Sequence, residues 1–319
     1  MRTSNSRLQI GISACLLGNP VRFDGGHTRS KLCVNTLSAY SDFHPFCPEV
    51  AAGFGTPRPS MRLVGDPENP RLTFSKEDSA DLTKQLKSGY KDRLTDLAQL
   101  DAYILMRNSP SCGLERIKVY QKNGYAHEKK SQGLFTKDLM AQNPLLPVEE
   151  EGRLNDHALR ENFILRAYTN HYFKREVLAD PSPQSLINFH SKNKFIIMAH
   201  NIDAYRELGR LVANLRFKEL NDILAAYHRG LMLALAKPAK RKSHSNVLMH
   251  ILGFLKKSIP GTARRSIAQT IDAYRLGQLP LITPLTLLKH YIALCGSEYI
   301  QQQRYLSPYP EDLGLRNQI

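Results

Sequence analysis

The sequence predicts an α/β N-terminal domain followed by an all-α C-terminal domain. In the N-terminal half, short apolar runs alternate with polar segments of helical periodicity, which is typical of a mostly parallel sheet. Beyond residue 185, apolar residues recur three and four positions apart and no convincing strand pattern remains. We therefore expect residues 1–160 to form an open, mostly parallel sheet with helices on both faces, and residues 161–319 to form an all-helical accessory domain.

The elements of the N-terminal half follow from periodicity and from cap and turn residues. A long helix is expected where Ser75 can act as a cap with acids in the first turn, and a later helix should end at Pro144. Between helices, uninterrupted apolar runs predict buried strands. The pattern predicts strands at 8–13, 102–106 and 116–121, and helices at 75–100, 131–144 and from about 155.

The second half reads as helices joined by short loops. Its proline-rich segment 179–185 is the predicted linker, and the basic segment 237–244 is predicted to be a loop between helices. Helical spacing of apolar residues predicts helices at 186–200, 203–215, 217–236, 245–258, 262–277 and 283–296.

The charge of the chain is unevenly spread. The 319 residues carry a net charge of +15, of which residues 1–163 contribute +3 and residues 164–319 contribute +12. A basic excess of this kind favours a polyanionic partner such as nucleic acid, although a solvated basic surface needs no partner. No apolar stretch approaches the roughly 20 residues that span a bilayer, and the N-terminus lacks a signal-peptide pattern. We expect a cytoplasmic protein that does not bind membranes.

Five cysteines are an odd number for a disulfide framework, so burial, catalysis and metal binding are the options for their thiols. Cys15 follows the first predicted strand, and Cys112 sits in a Ser-Pro-Ser-Cys-Gly turn at the exit of another. Ligands of open α/β sheets usually lie at such strand ends. The spacings from Cys15 to Cys47 and on to Cys112, 32 and 65 residues, match no zinc-finger or ferredoxin pattern. Simple burial of small apolar side chains therefore stays open.

Three sets of motifs surround these cysteines: SACLLG with VRFDGG, CPEVAAG with PRP, and SPSCG. Together they resemble the thiouracil desulfidase family, iron-sulfur enzymes that remove sulfur from thiolated uracil. This resemblance covers about the first half of the chain. The second half resembles a helical domain of unassigned function that is found fused behind such domains, on the segments HNIDAYRELG, NVLMHILGFLKK, PLTLLKHY and YLSPYPEDLGLRNQI.

The resemblance implies a cofactor and a mechanism. Cys15, Cys47 and Cys112 would be the three ligands of a 4Fe-4S cluster, leaving one iron without a protein ligand. Glu49 matches the acid/base carboxylate of the family, and Ser109 matches its substrate-contacting hydroxyl. The implied reaction is a non-redox hydrolysis that releases sulfide from a thiolated pyrimidine or a related thiocarbonyl compound.

Plainer interpretations of the same residues stay open. Glu49 could be a solvated carboxylate or an acid in the first turn of a helix. The hydroxyl of Ser109 could serve simply to cap its turn, without contacting a substrate. The loop 24–26 could lie beside the substrate or form an ordinary glycine turn. Arg58 could bind an anionic group or pair with a carboxylate.

The remaining cysteines and the histidines of the second half fit no motif. Cys33 could be a bystander or a sulfur acceptor, and Cys295 is expected to pack in or near the core. The histidines show no paired spacing with a neighbouring acid of the kind that binds zinc on a helix, so we expect them to be core or surface residues. They are His190, His200, His244, His250 and His290.

Other functions are compatible with the same cysteines. The basic clusters at 240–242, 256–257 and 264–265 could contact phosphates, which would make a thiolated nucleotide or nucleic acid a substrate. A sulfur transferase acting on transfer RNA is one alternative. A nucleic-acid-binding protein whose cluster only senses redox state is another, and a zinc protein with three thiolates is a third.

Overall fold

A computed structural model describes residues 7–76, 80–215 and 219–319. The chain divides into two units, Met1–Asn155 and Asp156–Ile319. The first unit combines strands with short helices, and the second consists of helices joined by turns.

The first unit is built on a four-stranded parallel sheet. Its strands, in chain order, are β1 (Leu8–Ser13), β2 (Ser41–Phe46), β3 (Met61–Val64), β4 (Arg71–Phe74), β5 (Ala102–Leu105), β6 (Val119–Tyr120) and β7 (Val148–Glu150). The parallel sheet has the order β2, β1, β5, β7. The other three strands form a second sheet, in which β3 pairs with β4 antiparallel and with β6 parallel. The predicted α/β class with a mostly parallel sheet is confirmed.

One face of the parallel sheet packs against helices. The described helices of this unit are α1 (Pro48–Ala51), α2 (Thr83–Tyr90), α3 (Arg93–Asp96) and α4 (Leu134–Gln142). Side chains alternate between the faces of a strand, so Tyr103 and Leu105 of β5 point into the same buried cluster as Tyr90 and Phe135. The Phe135 ring lies 5.3 Å from the ring of Tyr90 and 5.7 Å from that of Tyr103, centroid to centroid.

The single long helix predicted for 75–100 is wrong. Ser75 instead extends the β3–β4 hairpin, because its backbone N–H donates to the carbonyl of Ser60 at 2.7 Å. The helix begins at Thr83, whose hydroxyl accepts a hydrogen bond from the backbone of Leu72, and the later turns split into α3 and a 3-10 turn, Leu97–Gln99. The acids expected in its first turn, residues 77 and 78, lie outside the described residues.

Four strands, β2, β3, β4 and β7, were not predicted from the sequence. The sequence of β2, SDFHPF, is half exposed and contains a proline, and both features suit its place at the edge of the sheet. The hairpin strands β3 and β4 are only four residues long each. The predicted strand at 116–121 shrinks to β6, and it joins the second sheet rather than the first.

The second unit is all-α, as predicted, and the part of it that the structure describes contains no strand. Its helices are α5 (His157–Phe173), α6 (Pro183–His200), α7 (Ile202–Ala213), α8 (Leu220–Ala234), α9 (Arg241–Phe254), α10 (Gly261–Arg275), α11 (Ile282–Cys295) and α12 (Glu298–Gln301). The first residues of the helix expected from 217 fall partly outside the described residues, since 216–218 are not described. None of the described helices has both the length and the apolar character needed to cross a membrane.

Two segments predicted as linker and loop are partly helical. The linker prediction for 179–185 is wrong, because the segment lies inside the second unit and its end starts α6. Ser182 caps this helix: its hydroxyl accepts from the backbone of Ser185 at 3.1 Å, and the reciprocal bond measures 3.2 Å, a capping box. The basic segment 237–244 is a loop only up to Lys240, since α9 begins at Arg241.

Substitution of Gly11 tests how closely β1 and β5 pack. Gly11 lies opposite Tyr103, and a Cβ atom added to it would lie 2.3 Å from Cδ2 of Tyr103 and 2.7 Å from Cδ1 of Leu100. We expect Gly11→Ala to lower the free energy of unfolding by about 1–3 kcal/mol, the usual cost of overpacking a core. Urea denaturation measures this loss.

Gly253→Ala is the matched control. Gly253 is an exposed residue near the end of α9, and a Cβ atom there would meet nothing within 4 Å. Alanine is the better helix former, so this variant should be no less stable than the parent chain. An equal loss of stability in both variants would contradict the close packing of Tyr103 on β1.

Candidate functional site

The three cysteines of the motifs meet because their strands are neighbours. Cys15 comes two residues after β1, Cys47 comes directly after β2, and Cys112 lies in the turn that follows β5. The strands β2, β1 and β5 are adjacent and parallel, so their carboxyl ends lie along one edge of the sheet. All three cysteines line a single cavity of about 310 Å³ at this edge.

Cys15 is held in a 3-10 turn, Ala14–Leu17, that continues β1. Its carbonyl accepts hydrogen bonds from the backbone of Gly18 at 3.3 Å and of Thr28 at 3.0 Å. Gly18 takes a left-handed conformation with φ of 99°, which glycine adopts without the penalty that other residues pay. The turn leaves Cys15 buried against the cavity.

Cys47 occupies the N-cap position of the short helix α1. Pro48 supplies the first helical residue, which suits a position where no backbone N–H is required. The thiol of Cys47 lies 3.9 Å from the carbonyl oxygen of Val21. Glu49 is therefore an acid in the first turn of α1, as one of the plainer interpretations expects, and its side chain also lines the cavity.

Cys112 is fixed by the Ser-Pro-Ser-Cys-Gly turn. The hydroxyl of Ser109 accepts hydrogen bonds from the backbone of Ser111 at 3.3 Å and of Cys112 at 3.1 Å, so Ser109 does cap the turn. Gly113 is required by close packing, because a Cβ atom there would lie 2.1 Å from Cδ1 of Ile117. Ser109 and Cys112 both line the cavity.

The Glu49 carboxylate is the centre of a hydrogen-bond network in the cavity wall. Its Oε2 accepts from Nε of Arg58 at 3.1 Å and also from Nη2 of Arg58. Its Oε1 accepts from the hydroxyl of Ser111 at 2.5 Å and from that of Ser109 at 3.4 Å. Both oxygens are therefore held in place from within the protein.

Arg58 pairs with a carboxylate, which decides between its two interpretations. Beyond Glu49, its Nη1 donates to the carbonyl of Gly55 at 2.8 Å and its Nη2 donates to that of Val21 at 3.0 Å. The Arg58 side chain is only 3% exposed and that of Glu49 12%. A buried carboxylate is expensive without a partner, and Arg58 supplies it.

Several residues whose roles the sequence left open do not line the cavity. Asp24, Gly25 and Gly26 are not among its lining residues, and the backbone of Gly26 donates to the Asp24 carboxylate at 3.0 Å, as an ordinary turn does. Cys33 is fully buried in the π-helical turn Leu32–Thr36 and does not line the cavity. Cys295 lies in the second unit, where its thiol contacts the carbonyl of Tyr291 at 3.1 Å.

Burial keeps the free thiols protonated at neutral pH. It raises the pKa of Cys15 to about 11, with repulsion from Cys47 adding to the rise and Arg22 opposing it. Burial also raises the pKa of Cys47 and that of Cys112, to which Cys47 again contributes. A positively charged metal group bound here would displace these protons.

The donor set suits a soft metal group. Thiolates are the ligands that iron-sulfur clusters use, and three of them share this cavity. Among the described residues, no group of three or more His, Cys, Asp or Glu side chains is placed to hold one metal ion. In a cluster each cysteine binds a different iron, so its sulfur atoms do not converge on one point. The residues present fit such a cluster.

Sequence reasoning missed Ser111 and Ser13. Ser111 makes the shortest hydroxyl contact with Glu49, and its place beside Ser109 in the turn was the available signal. The hydroxyl of Ser13 lines the cavity and accepts from the backbone of Met106 at 2.9 Å, which joins the ends of β1 and β5. Ser13 is the first residue of the motif SACLLG, which was the available signal.

Replacement of Arg58 by lysine tests the buried ion pair. Lysine keeps the charge but cannot donate at once to Glu49, Gly55 and Val21. We expect Arg58→Lys to lower the free energy of unfolding by about 1–3 kcal/mol, the usual cost of leaving buried polar groups unpaired. Arg71→Lys is the control, since Arg71 is 52% exposed and lies 4.0 Å from Asp81, and exposed pairs contribute about 0–1 kcal/mol. Similar losses in the two urea titrations would contradict this account.

Comparison with known proteins gives family matches in both halves of the chain. The family model described as 2-thiouracil desulfurase matches residues 10–151, and the model described as protein of unknown function (DUF1722) matches residues 194–310. The uncharacterized protein YbgA of Escherichia coli (strain K12) is 32% identical over 165 residues, 51% of this chain and 98% of YbgA. The uncharacterized protein YbbK of Bacillus subtilis (strain 168) is 29% identical over 153 residues, 46% of this chain and 98% of YbbK.

A solved structure is also similar, that of the [4Fe-4S]-dependent thiouracil desulfidase TudS. It is 30% identical, with 47% of this chain and 94% of that chain covered and a TM-score of 0.38. None of the comparisons supports the predicted binding of nucleic acid by the basic second half, which stays a prediction. Residues 10–151 of this chain belong to the 2-thiouracil desulfurase family, and residues 194–310 belong to the DUF1722 family.

Proposed function

We propose that the first unit is a 4Fe-4S-dependent desulfidase that hydrolyses a thiolated pyrimidine, or a related thiocarbonyl compound, and releases sulfide. The observation that carries the proposal is the shared cavity, which brings three cysteine thiols and a hydrogen-bonded carboxylate together. Membership of the 2-thiouracil desulfurase family supports the same reaction.

Cys15, Cys47 and Cys112 would hold the cluster, and among the described residues no fourth cysteine lines the cavity. When bound, a cluster with three protein ligands supplies a soft iron that can accept the sulfur of a thiocarbonyl group. The overall reaction consumes water and the thiocarbonyl compound and yields the carbonyl compound and hydrogen sulfide. No electrons are transferred, so no external oxidant or reductant is required.

Glu49 is proposed as the acid/base group. Its carboxylate takes a proton from water, which can then add to the ring carbon that carries sulfur. Arg58 holds Oε2 and therefore keeps the carboxylate turned toward the cavity. The hydroxyls of Ser109 and Ser111 both contact Oε1. Ser109 lines the cavity, so its hydroxyl can rotate to meet a substrate oxygen or nitrogen, while the buried hydroxyl of Ser111 keeps Glu49 fixed.

Metal content tests the assignment of the ligands. We expect the protein, purified without oxygen, to contain iron and acid-labile sulfide in equal amounts, and Cys15→Ala, Cys47→Ala and Cys112→Ala each to lose most of both. Cys295→Ala is the matched control and should keep them, because Cys295 lies outside the cavity. Protein that stays colourless after reconstitution with iron and sulfide, or that holds zinc instead, would refute the cluster.

Replacement of Glu49 by glutamine tests the mechanism. Glutamine keeps the shape of the side chain but cannot accept the proton, so desulfidase turnover should fall by about 10²–10⁴-fold, while iron and sulfide contents stay unchanged. The assay supplies thiouracil and measures the sulfide that is released. A cluster that only senses redox state predicts full tolerance of Glu49→Gln, and a sulfur transferase predicts transfer of sulfur to an acceptor without release of free sulfide.

A further inference from the structure

The helical unit has its own cavity of about 340 Å³, within the usual range for sites that bind small molecules. Its rim includes exposed residues such as His157, Ala158 and Arg241. Its floor is formed by Glu161, which is 5% exposed, and by His244 and Tyr274. The sequence offered no reason to group these residues, which come from α5, α9 and α10.

The Glu161 carboxylate presents a free acceptor to this cavity. Its Oε1 accepts from the Tyr309 hydroxyl at 2.8 Å and from Nε of Arg316 at 3.2 Å. Its Oε2 has no hydrogen-bond partner in the part of the chain that the structure describes, yet this oxygen is not fully enclosed by the protein. Since Glu161 lines the cavity, solvent reaches Oε2 from there.

His244 presents a donor to the same cavity. Its Nδ1 lies 2.8 Å from the hydroxyl of Tyr305, and this hydroxyl has no other partner in the described chain. A buried phenol must donate its proton to be satisfied, so Tyr305 donates to Nδ1 and the ring proton of His244 resides on Nε2. Burial holds the pKa of His244 well below its usual range and keeps the ring neutral.

Tyr274 adds a hydroxyl that can both donate and accept. It is 1% exposed, lines the cavity and makes no side-chain hydrogen bond within the described residues. Its ring meets that of His244 edge to face with 6.4 Å between centroids, and the guanidinium of Arg241 lies 5.3 Å from the centroid of the Tyr274 ring. The cavity therefore combines an aromatic wall with an acceptor, a donor and a hydroxyl.

The charge of the floor selects a neutral ligand. Arg316 neutralises Glu161 from behind, with both side chains about 5% exposed, so a bound cation would find no net negative charge. An anion would be repelled by the free Oε2 of Glu161 at close range. A neutral group with N–H beside C=O satisfies Oε2 with its donor and Nε2–H of His244 with its acceptor, leaving no buried polar group unpaired.

We propose that this cavity of the helical unit binds a small neutral cyclic amide, the class that includes the oxo-pyrimidines. Glu161 accepts a hydrogen bond from the ring N–H, and His244 donates one to the adjacent carbonyl. The Tyr274 hydroxyl donates to, or accepts from, the next polar atom of the ring. The assignment rests on the hydrogen-bond pattern of the helical unit and does not depend on the cluster or on the reaction proposed for the first unit.

The test uses the full chain and labelled uracil as the probe in equilibrium dialysis. We expect saturable binding of uracil, and binding of 1,3-dimethyluracil at least about tenfold weaker, because methylation removes every ring N–H. Tyr274→Phe deletes only the hydroxyl and should weaken uracil binding about five- to tenfold. Ala158→Trp should block the cavity from its exposed rim without altering the free energy of unfolding by more than about 0.5 kcal/mol.

Two controls separate this site from the cysteine cavity and from general effects. Tyr291→Phe removes a hydroxyl from α11, outside both cavities, and should leave uracil binding unchanged. Ser109→Ala alters only the cysteine cavity. The uracil binding that depends on Tyr274 should therefore persist in the Ser109→Ala variant, even if the chain has no desulfidase activity. Absence of saturable uracil binding, equal affinity for 1,3-dimethyluracil, or insensitivity to both Tyr274→Phe and Ala158→Trp would overturn the proposal.

Discussion

The parallel pairing of three neighbouring strands is the constraint on which the candidate site depends. The strand β1 pairs in parallel with β2 on one side and with β5 on the other, so the three chain segments leave the sheet at the same edge. Parallel strands require long connections, and these connections separate Cys15, Cys47 and Cys112 widely in sequence. The sheet then brings the three thiols onto one cavity without any local spacing pattern. A cluster site of this kind is a property of topology.

Burial sets the chemistry of this cavity in two opposite ways. It raises the thiol pKa values, so the cysteines favour either a proton or a positively charged metal group. The Glu49 carboxylate, in contrast, is compensated within the protein by Arg58 and by two hydroxyls. The carboxylate is therefore placed and supported before any substrate binds, which is the usual requirement for an acid/base group. The thiols, by comparison, have only long contacts, such as that of Cys47 with the carbonyl oxygen of Val21 at 3.9 Å.

The helical unit shows the same contrast between satisfied and unsatisfied polar groups. Most of its buried polar side chains have partners inside the fold, such as His190 with Tyr227 and His200 with Asn162. At the floor of its cavity, Glu161 and His244 each use one of their two polar side-chain atoms in hydrogen bonds with the described residues, and the other atom has no partner among them. A helical bundle can bury such groups only at a cost, and this cost is recovered when a ligand completes the pattern. His244 was expected to be either a core or a surface residue, and it is buried. Burial does not exclude a place in the wall of a cavity.

The sequence by itself determined the features that depend on local periodicity and local turn chemistry. These are the α/β and all-α classes, the strands β1 and β5, most of the long helices, and the turn that holds Cys112. Only the tertiary structure decided that β2 pairs with β1, that residues 75–100 do not form one helix, and that Arg58 pairs with Glu49. The partners of Glu49 lie 9 residues away at Arg58 and 62 residues away at Ser111. Contacts of this range depend on which strands are neighbours, and strand pairing is a long-range choice that no window of the sequence contains.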